Sequence, residues 1–267
     1  MDPIEIAFYE TIKALGQSQL DNLVIVGGWC PYLYAKHVWR KETPHLLTMD
    51  VDFAVKRMSP DRFSGPAYKK LLAANLVPRR MDMEDDNRIQ FSYLAGRSLV
   101  PIEFITAPWV LPKGQKALST PYVACDPVPE VSLALRAPPL VETVEYDGKG
   151  YRLQITSPGA FILVKALLIK HRVNSRKIPK DLASVAFVLR YSPRIDTVLD
   201  EVKSLLKLPG AREGGKILAK VLAEEKSVGF QWLRPVFETW GCESGKVPEE
   251  INHTFSPLMA VLSNKIL

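Results

Sequence analysis

Hydrophobic residues in this chain change their spacing part-way along it. Leu23-Val24-Ile25-Val26 is a short unbroken apolar run that stops on Gly27-Gly28, and residues 22–27 read as a first strand. Thr48 to Val55 alternates around Asp50 and Asp52 and reads as a second strand. Residues 88–94 and 99–106 read as a hairpin around Ala95-Gly96-Arg97-Ser98, and residues 145–155 as another around Asp147-Gly148. Between these lie helical spacings. Ile4, Phe8, Ile12 and Leu15 follow Asp2-Pro3 and precede Gly16; Trp29 to Trp39 leaves the glycine pair directly; Tyr68, Leu71, Leu72 and Leu76 mark a helix over 64–76. Pro101 places the start of the 99–106 strand near a sheet edge.

From Ser157 onward the period is helical. Ile195, Val198, Leu199, Val202, Leu205 and Leu206 form one apolar stripe, and further helices are expected near 213–226, 230–240 and 249–264. The expected fold class is therefore α/β (α+β), a mixed sheet flanked by helices over residues 1–157, followed by a mostly helical domain over 158–267.

Composition narrows the setting. With 47% hydrophobic residues the 267-residue chain has ample material for a core, and its longest apolar helical block is interrupted by Lys165, so no membrane span is expected. The opening Met-Asp-Pro-Ile-Glu lacks the basic start and apolar run of a secretory signal. Cysteines at 30, 125 and 242 have neither metal-ligand spacing nor an even count, which fits a reducing, cytoplasmic location. The net charge of +6 is mild, but six basic residues fall within 165–180. Such a cluster suits a polyphosphate or RNA partner, or simply a solvated helix face.

The chemistry concentrates at the first two strands. Side chains two apart on a strand share a face, so Asp50 and Asp52 project together, about 7 Å apart along the strand. Carboxylates that close repel unless a cation lies between them. A glycine pair lets backbone approach a ligand closely, and N–H groups at a helix start accept phosphate. Together these features point to nucleotide phosphates on Gly27 and Gly28 and Mg²⁺ on the aspartates. Glu103 stands within the apolar run Val-Pro-Ile-Glu-Phe-Ile, where a charge needs a partner.

The Gly27-Gly28 turn, the Thr48-Met49-Asp50-Val51-Asp52 strand and a later strand acid resemble the nucleotidyltransferase superfamily that includes DNA polymerase beta. The resemblance is strongest to the bacterial abortive-infection and toxin–antitoxin branch, with Lys165-Ala166-Leu167 and Lys180-Asp181-Leu182 matching its later basic segments. It covers residues 20–190 in outline. It implies a nucleotidyltransferase fold in the first domain, and Asp50, Asp52 and Glu103 as metal-binding and catalytic acids holding Mg²⁺ or Mn²⁺. Gly27, Gly28, Lys165 and Arg172 would bind a nucleoside triphosphate. A nucleoside monophosphate would pass to a hydroxyl on RNA (tRNA among them), a protein or a small molecule, and a cognate antitoxin would be a further partner. Where relatives carry Ser or Thr after the glycines this chain has Trp29, and Ser184 stands where a second Asp often follows Lys-Asp.

Blander assignments remain open for each residue. Asp50 could cap a turn, Asp52 could pair with Lys56 or Arg57, and Glu103 with Arg88 or Arg97. Lys165 could reach water past its apolar neighbours or turn inward. Asp181 could support a helix N-terminus. Trp29 and Tyr32 suit a core as well as a base. A catalytically silent binding protein, or an RNA-binding module driven by the basic cluster, would keep the same fold.

Overall fold

The structure, a computed structural model, describes residues 2–44, 50–57, 65–80, 88–95, 98–110, 122–123, 125–171, 177–223 and 227–266. The chain divides into two compact units, Met1–Cys30 with Leu47–Thr156, and Pro31–Leu46 with Ser157–Leu267.

The first unit is built on one mixed sheet. Its described strands are β1 (Leu23–Ile25), β2 (Val51–Val55), β3 (Val77–Arg80), β4 (Arg88–Ala95), β5 (Ser98–Thr106), β6 (Tyr122–Val123), β7 (Asp126–Pro127), β8 (Leu140–Tyr146) and β9 (Lys149–Ile155). Their order is β3-β4-β5-β2-β1-β9-β8, with β6 beside β4 and β7 beside β5. β1 runs antiparallel to β2 and parallel to β9, and β2 runs parallel to β5. Both expected hairpins form, β4–β5 and β8–β9. The second closes on Asp147 and Gly148, both at positive φ (52° and 68°), the combination a tight two-residue turn demands.

Alternation gives the sheet two unlike faces. Phe53, Phe91, Ile102 and Phe104 point to one side and are buried. Helix α1 (Pro3–Leu15) supplies Phe8 to that side, its ring stacked 6.4 Å from Phe53 and 4.3 Å from Trp29. The N-cap is as the sequence indicates: the Asp2 carboxylate accepts a 2.8 Å hydrogen bond from the Ile4 N–H. A short helix α2 (Gln17–Leu20) leads into β1. Helix α3 (Trp29–Leu33) continues as a π-helical turn, Tyr34–Trp39, ending on left-handed Arg40.

Three local expectations change. Helix α4 spans Gly65–Ala73 and buries Ala67 and Leu71, whereas Leu72 is 44% exposed; Leu76 is buried but lies beyond the helix. Helix α5 (Val131–Arg136) forms between the two hairpins, where the spacing predicts no helix. Pro101 sits in an interior strand, between β4 and β2, not at an edge. It lies one residue before the β2 pairing begins at Val51↔Ile102, so its missing N–H costs no ladder bond on that flank.

The second unit is helical: α6 (Pro158–His171), α7 (Lys177–Tyr191), α8 (Ile195–Leu205), α9 (Ala211–Val221), α10 (Val228–Thr239) and α11 (Val247–Ile266). Helix α6 is buried on nearly all sides. Val198, Leu199, Val202 and Leu205 of α8 are buried as their spacing requires. Among the described residues no helix is long and apolar enough to cross a membrane.

Candidate active site

The face of the sheet opposite Phe53 and Phe104 carries the acids. β2 and β5 run in parallel register with Asp52 directly beside Glu103, so both side chains leave on the same side. Asp50, immediately before β2, adds a third carboxylate. One oxygen from each of Asp50, Asp52 and Glu103 lies within 4.8 Å of the others, and all three residues are half-buried. Acids far apart in the chain thus meet because two short strands pair in one register.

Two neighbours fix this cluster. The Val26 N–H donates to the Asp52 carbonyl at 3.2 Å, fastening the end of β1 to the acid strand. Gly27 then turns with φ +69°, and a Cβ there would lie 1.9 Å from Asp52 Oδ2. Only glycine lets the chain turn this close to the carboxylate. Gly28 follows, buried, at the start of the α3 helix. On the other side the Gln90 side-chain amide on β4 donates to Glu103 Oε1 at 3.4 Å. No motif singles out Gln90; its alternation with Ser92 and Leu94 on β4 is the signal that puts it on the acid face.

The donor set fits a hard divalent cation: oxygen ligands only, and no sulfur or imidazole among them. Oxygens within 4.8 Å of one another are near enough for Asp50, Asp52 and Glu103 to share a bound divalent cation.

Other residues with a suggested role take different places. Lys56 donates to the Gln154 side chain and to the Asp21 carbonyl, and its burial depresses its pKa. Trp29 is 1% exposed and stacked on Phe8, a core residue. Lys165 does not reach water: its ammonium is buried in α6, 2.7 Å from Asp181 Oδ1 and 5.7 Å from the Phe161 ring centroid. Asp181 is likewise buried, in the second turn of α7, so it is an ion-pair partner and not a first-turn dipole acid. Each residue interrupts an apolar helical stripe, and that shared anomaly is the signal in the sequence for the pair. Ser184 donates its hydroxyl to the Lys180 carbonyl at 2.8 Å. Arg172 lies outside the described residues, as do Thr48 and Arg97.

A family model described as Nucleotidyltransferase matches residues 7–201, a span that takes in the glycine turn, all three acids and the Lys165–Asp181 pair. The chain belongs to this nucleotidyltransferase family. Among solved structures the chain is similar to an antigenic nucleotidyltransferase-like protein from Paracoccidioides brasiliensis, at 16% identity, covering 78% of this chain and 90% of that one, with a TM-score of 0.42. No curated protein matches it.

Proposed function

We propose that this family member transfers a nucleoside monophosphate from a nucleoside triphosphate to a hydroxyl acceptor, releasing pyrophosphate. The supporting observation is the convergence of Asp50, Asp52 and Glu103 beside a glycine turn that no larger residue could make. In this reading the acids hold Mg²⁺ or Mn²⁺, which when bound neutralises phosphate charge and aligns the reacting oxygens. Backbone at Gly27 and Gly28 approaches the phosphates. The acceptor oxygen bonds to the α-phosphorus, the bond to the bridging oxygen breaks, and the electron pair leaves with pyrophosphate. The acceptor proton passes to a carboxylate, for which Glu103 is the assigned base.

Lys165, which the resemblance pairs with Arg172 as a triphosphate ligand, is buried against Asp181 and is given no phosphate contact in this reading.

Incubation with each labelled triphosphate, Mg²⁺ and pooled tRNA or lysate tests the proposal. Label should move to an acceptor with wild type and not with Asp50→Ala or Asp52→Ala. Equal labelling by all three proteins defeats it. Buried Trp29, which offers no hydroxyl at the turn, favours a second reading: a silent member that binds nucleotide or a protein partner, an antitoxin among the candidates. Calorimetric binding of a non-hydrolysable triphosphate without any label transfer would select that reading.

A further inference from the structure

The basic cluster noted in the sequence at 165–180 loses members in the fold. Lys165 is buried against Asp181, and Lys170 is paired with Glu213. Positive charge instead gathers further along. Residues 203–223 contain Lys203, Lys207, Arg212, Lys216 and Lys220 against the single acid Glu213, with Asp200 and Glu201 before the run and Glu224 and Glu225 after it. Glu213 is the acid already engaged by Lys170. All five cations are exposed, and among the described residues none of their side chains makes a hydrogen bond or ion pair.

Three of them form a line. Arg212, Lys216 and Lys220 recur every fourth residue on α9, about 6 Å apart along the axis and drifting only about 40° per step. The opposite side of α9 is clamped. Ala211, Gly214, Gly215 and Leu218 are buried, and a Cβ at Gly214 would come within 2.8 Å of the Leu163 carbonyl oxygen of α6. With the small residues pressed against α6 backbone, the cationic line is held outward.

We propose that this face of α9 docks the phosphate backbone of a nucleic-acid strand. A convex row about 12 Å long suits a linear polyanion better than a compact triphosphate, which needs enclosure. An anionic membrane surface is the rival occupant. Helices that lie on membranes add exposed large apolar residues beside their cations. The large exposed apolar residues described in this chain are Leu72, Val77, Leu94, Leu99, Trp109, Val141 and Val228, and none is on α9.

The test is fluorescence anisotropy with a labelled single-stranded RNA of about 20 nucleotides and mixed sequence, titrated from about 50 to about 300 mM KCl, a range over which phosphate contacts are strongly weakened. Full-length wild type is compared with the triple variant Arg212→Gln, Lys216→Gln, Lys220→Gln. Glutamine has nearly the helix propensity of the residues it replaces, and circular dichroism checks that the fold is kept. Three lost phosphate contacts should flatten the slope of log K against log salt by about 2 and weaken binding about 100-fold at about 0.1 M salt. Unchanged slope and affinity in the variant overturn the proposal. So does a wild type that ignores the RNA at the lowest salt, or one that instead binds phosphatidylserine vesicles through the same three residues. The assay needs no turnover, so its outcome and that of the label-transfer experiment are separate.

Discussion

Replacing Gly27 with alanine tests the site where backbone and carboxylate are closest. Two costs arise together. The first is conformational: φ is +69°, and an L-residue held there is strained by about 1–3 kcal/mol. The second is steric. The new Cβ would start 1.9 Å from Asp52 Oδ2 and 2.8 Å from Asp52 Cγ, and ordinary contact begins at 3.4 Å. The carboxylate must therefore retreat by about 1.5 Å, several times the roughly 0.2 Å tolerance of a metal–ligand bond. Asp52 is fixed in register beside Glu103 and cannot retreat with its partners. Divalent-ion affinity should fall about 10–100-fold or more, the range seen when support for a ligand is lost. Gly241→Ala isolates the first cost: its φ is +85° and nothing lies within 4 Å of the added Cβ. Urea unfolding of both variants, with calorimetric titration of Mn²⁺, separates the two terms. Gly241→Ala should lose stability and keep wild-type ion binding; Gly27→Ala should lose both. A Gly27→Ala protein that binds Mn²⁺ within twofold of wild type would refute the reasoning.

Other residues give equally direct expectations. Asp181→Ala leaves the Lys165 ammonium buried and uncompensated, so urea denaturation should show a loss of about 3–5 kcal/mol, while the double variant Lys165→Met, Asp181→Leu should recover much of it. A double variant no more stable than the single would show that the pair is not the source. Burial pushes the Cys125 thiol up to about 12, and Cys30 is fully buried, so at about pH 8 a disulfide reagent should modify Cys242 quickly and the other two only on unfolding. Rapid reaction of Cys125 in native protein would contradict its placement. The Tyr146 hydroxyl donates to Glu10 at 2.7 Å, and this bond is the main reason its pKa rises to about 12. Its folded value is raised, so its contribution to stability is complete below about pH 10 and is lost as pH climbs towards 12. Phenolate absorbance in Glu10→Ala should show that tyrosine ionising at lower pH; an unshifted titration would dismiss the bond.

The sequence was most readable where one local rule governed. Asp2-Pro3 and Gly16 bracketed α1 because capping and φ preference act within a few residues. The meeting of Asp52 with Glu103 was legible as a possibility, since period-two alternation gives each a face, but their register depends on which strands pair. Lys165 was conspicuous in its apolar block and Asp181 read as an acid at a helix start, yet nothing in their spacing of 16 residues said that α6 and α7 would set them 2.7 Å apart. Helix α5 escaped notice because six residues enclosed by prolines at 127, 129, 138 and 139 give too short a window for a helical period. Leu72 misled for the opposite reason: α4 needed only Ala67 and Leu71 to meet its neighbours.

The opposed faces of β2 and β5 have a corollary. Val51, Phe53 and Val55 hold the interior together, while Asp52 between them does not share that duty. Losing the Asp52 carboxylate should therefore silence the chemistry of the cluster while the strand that displays it stays packed through Val51, Phe53 and Val55.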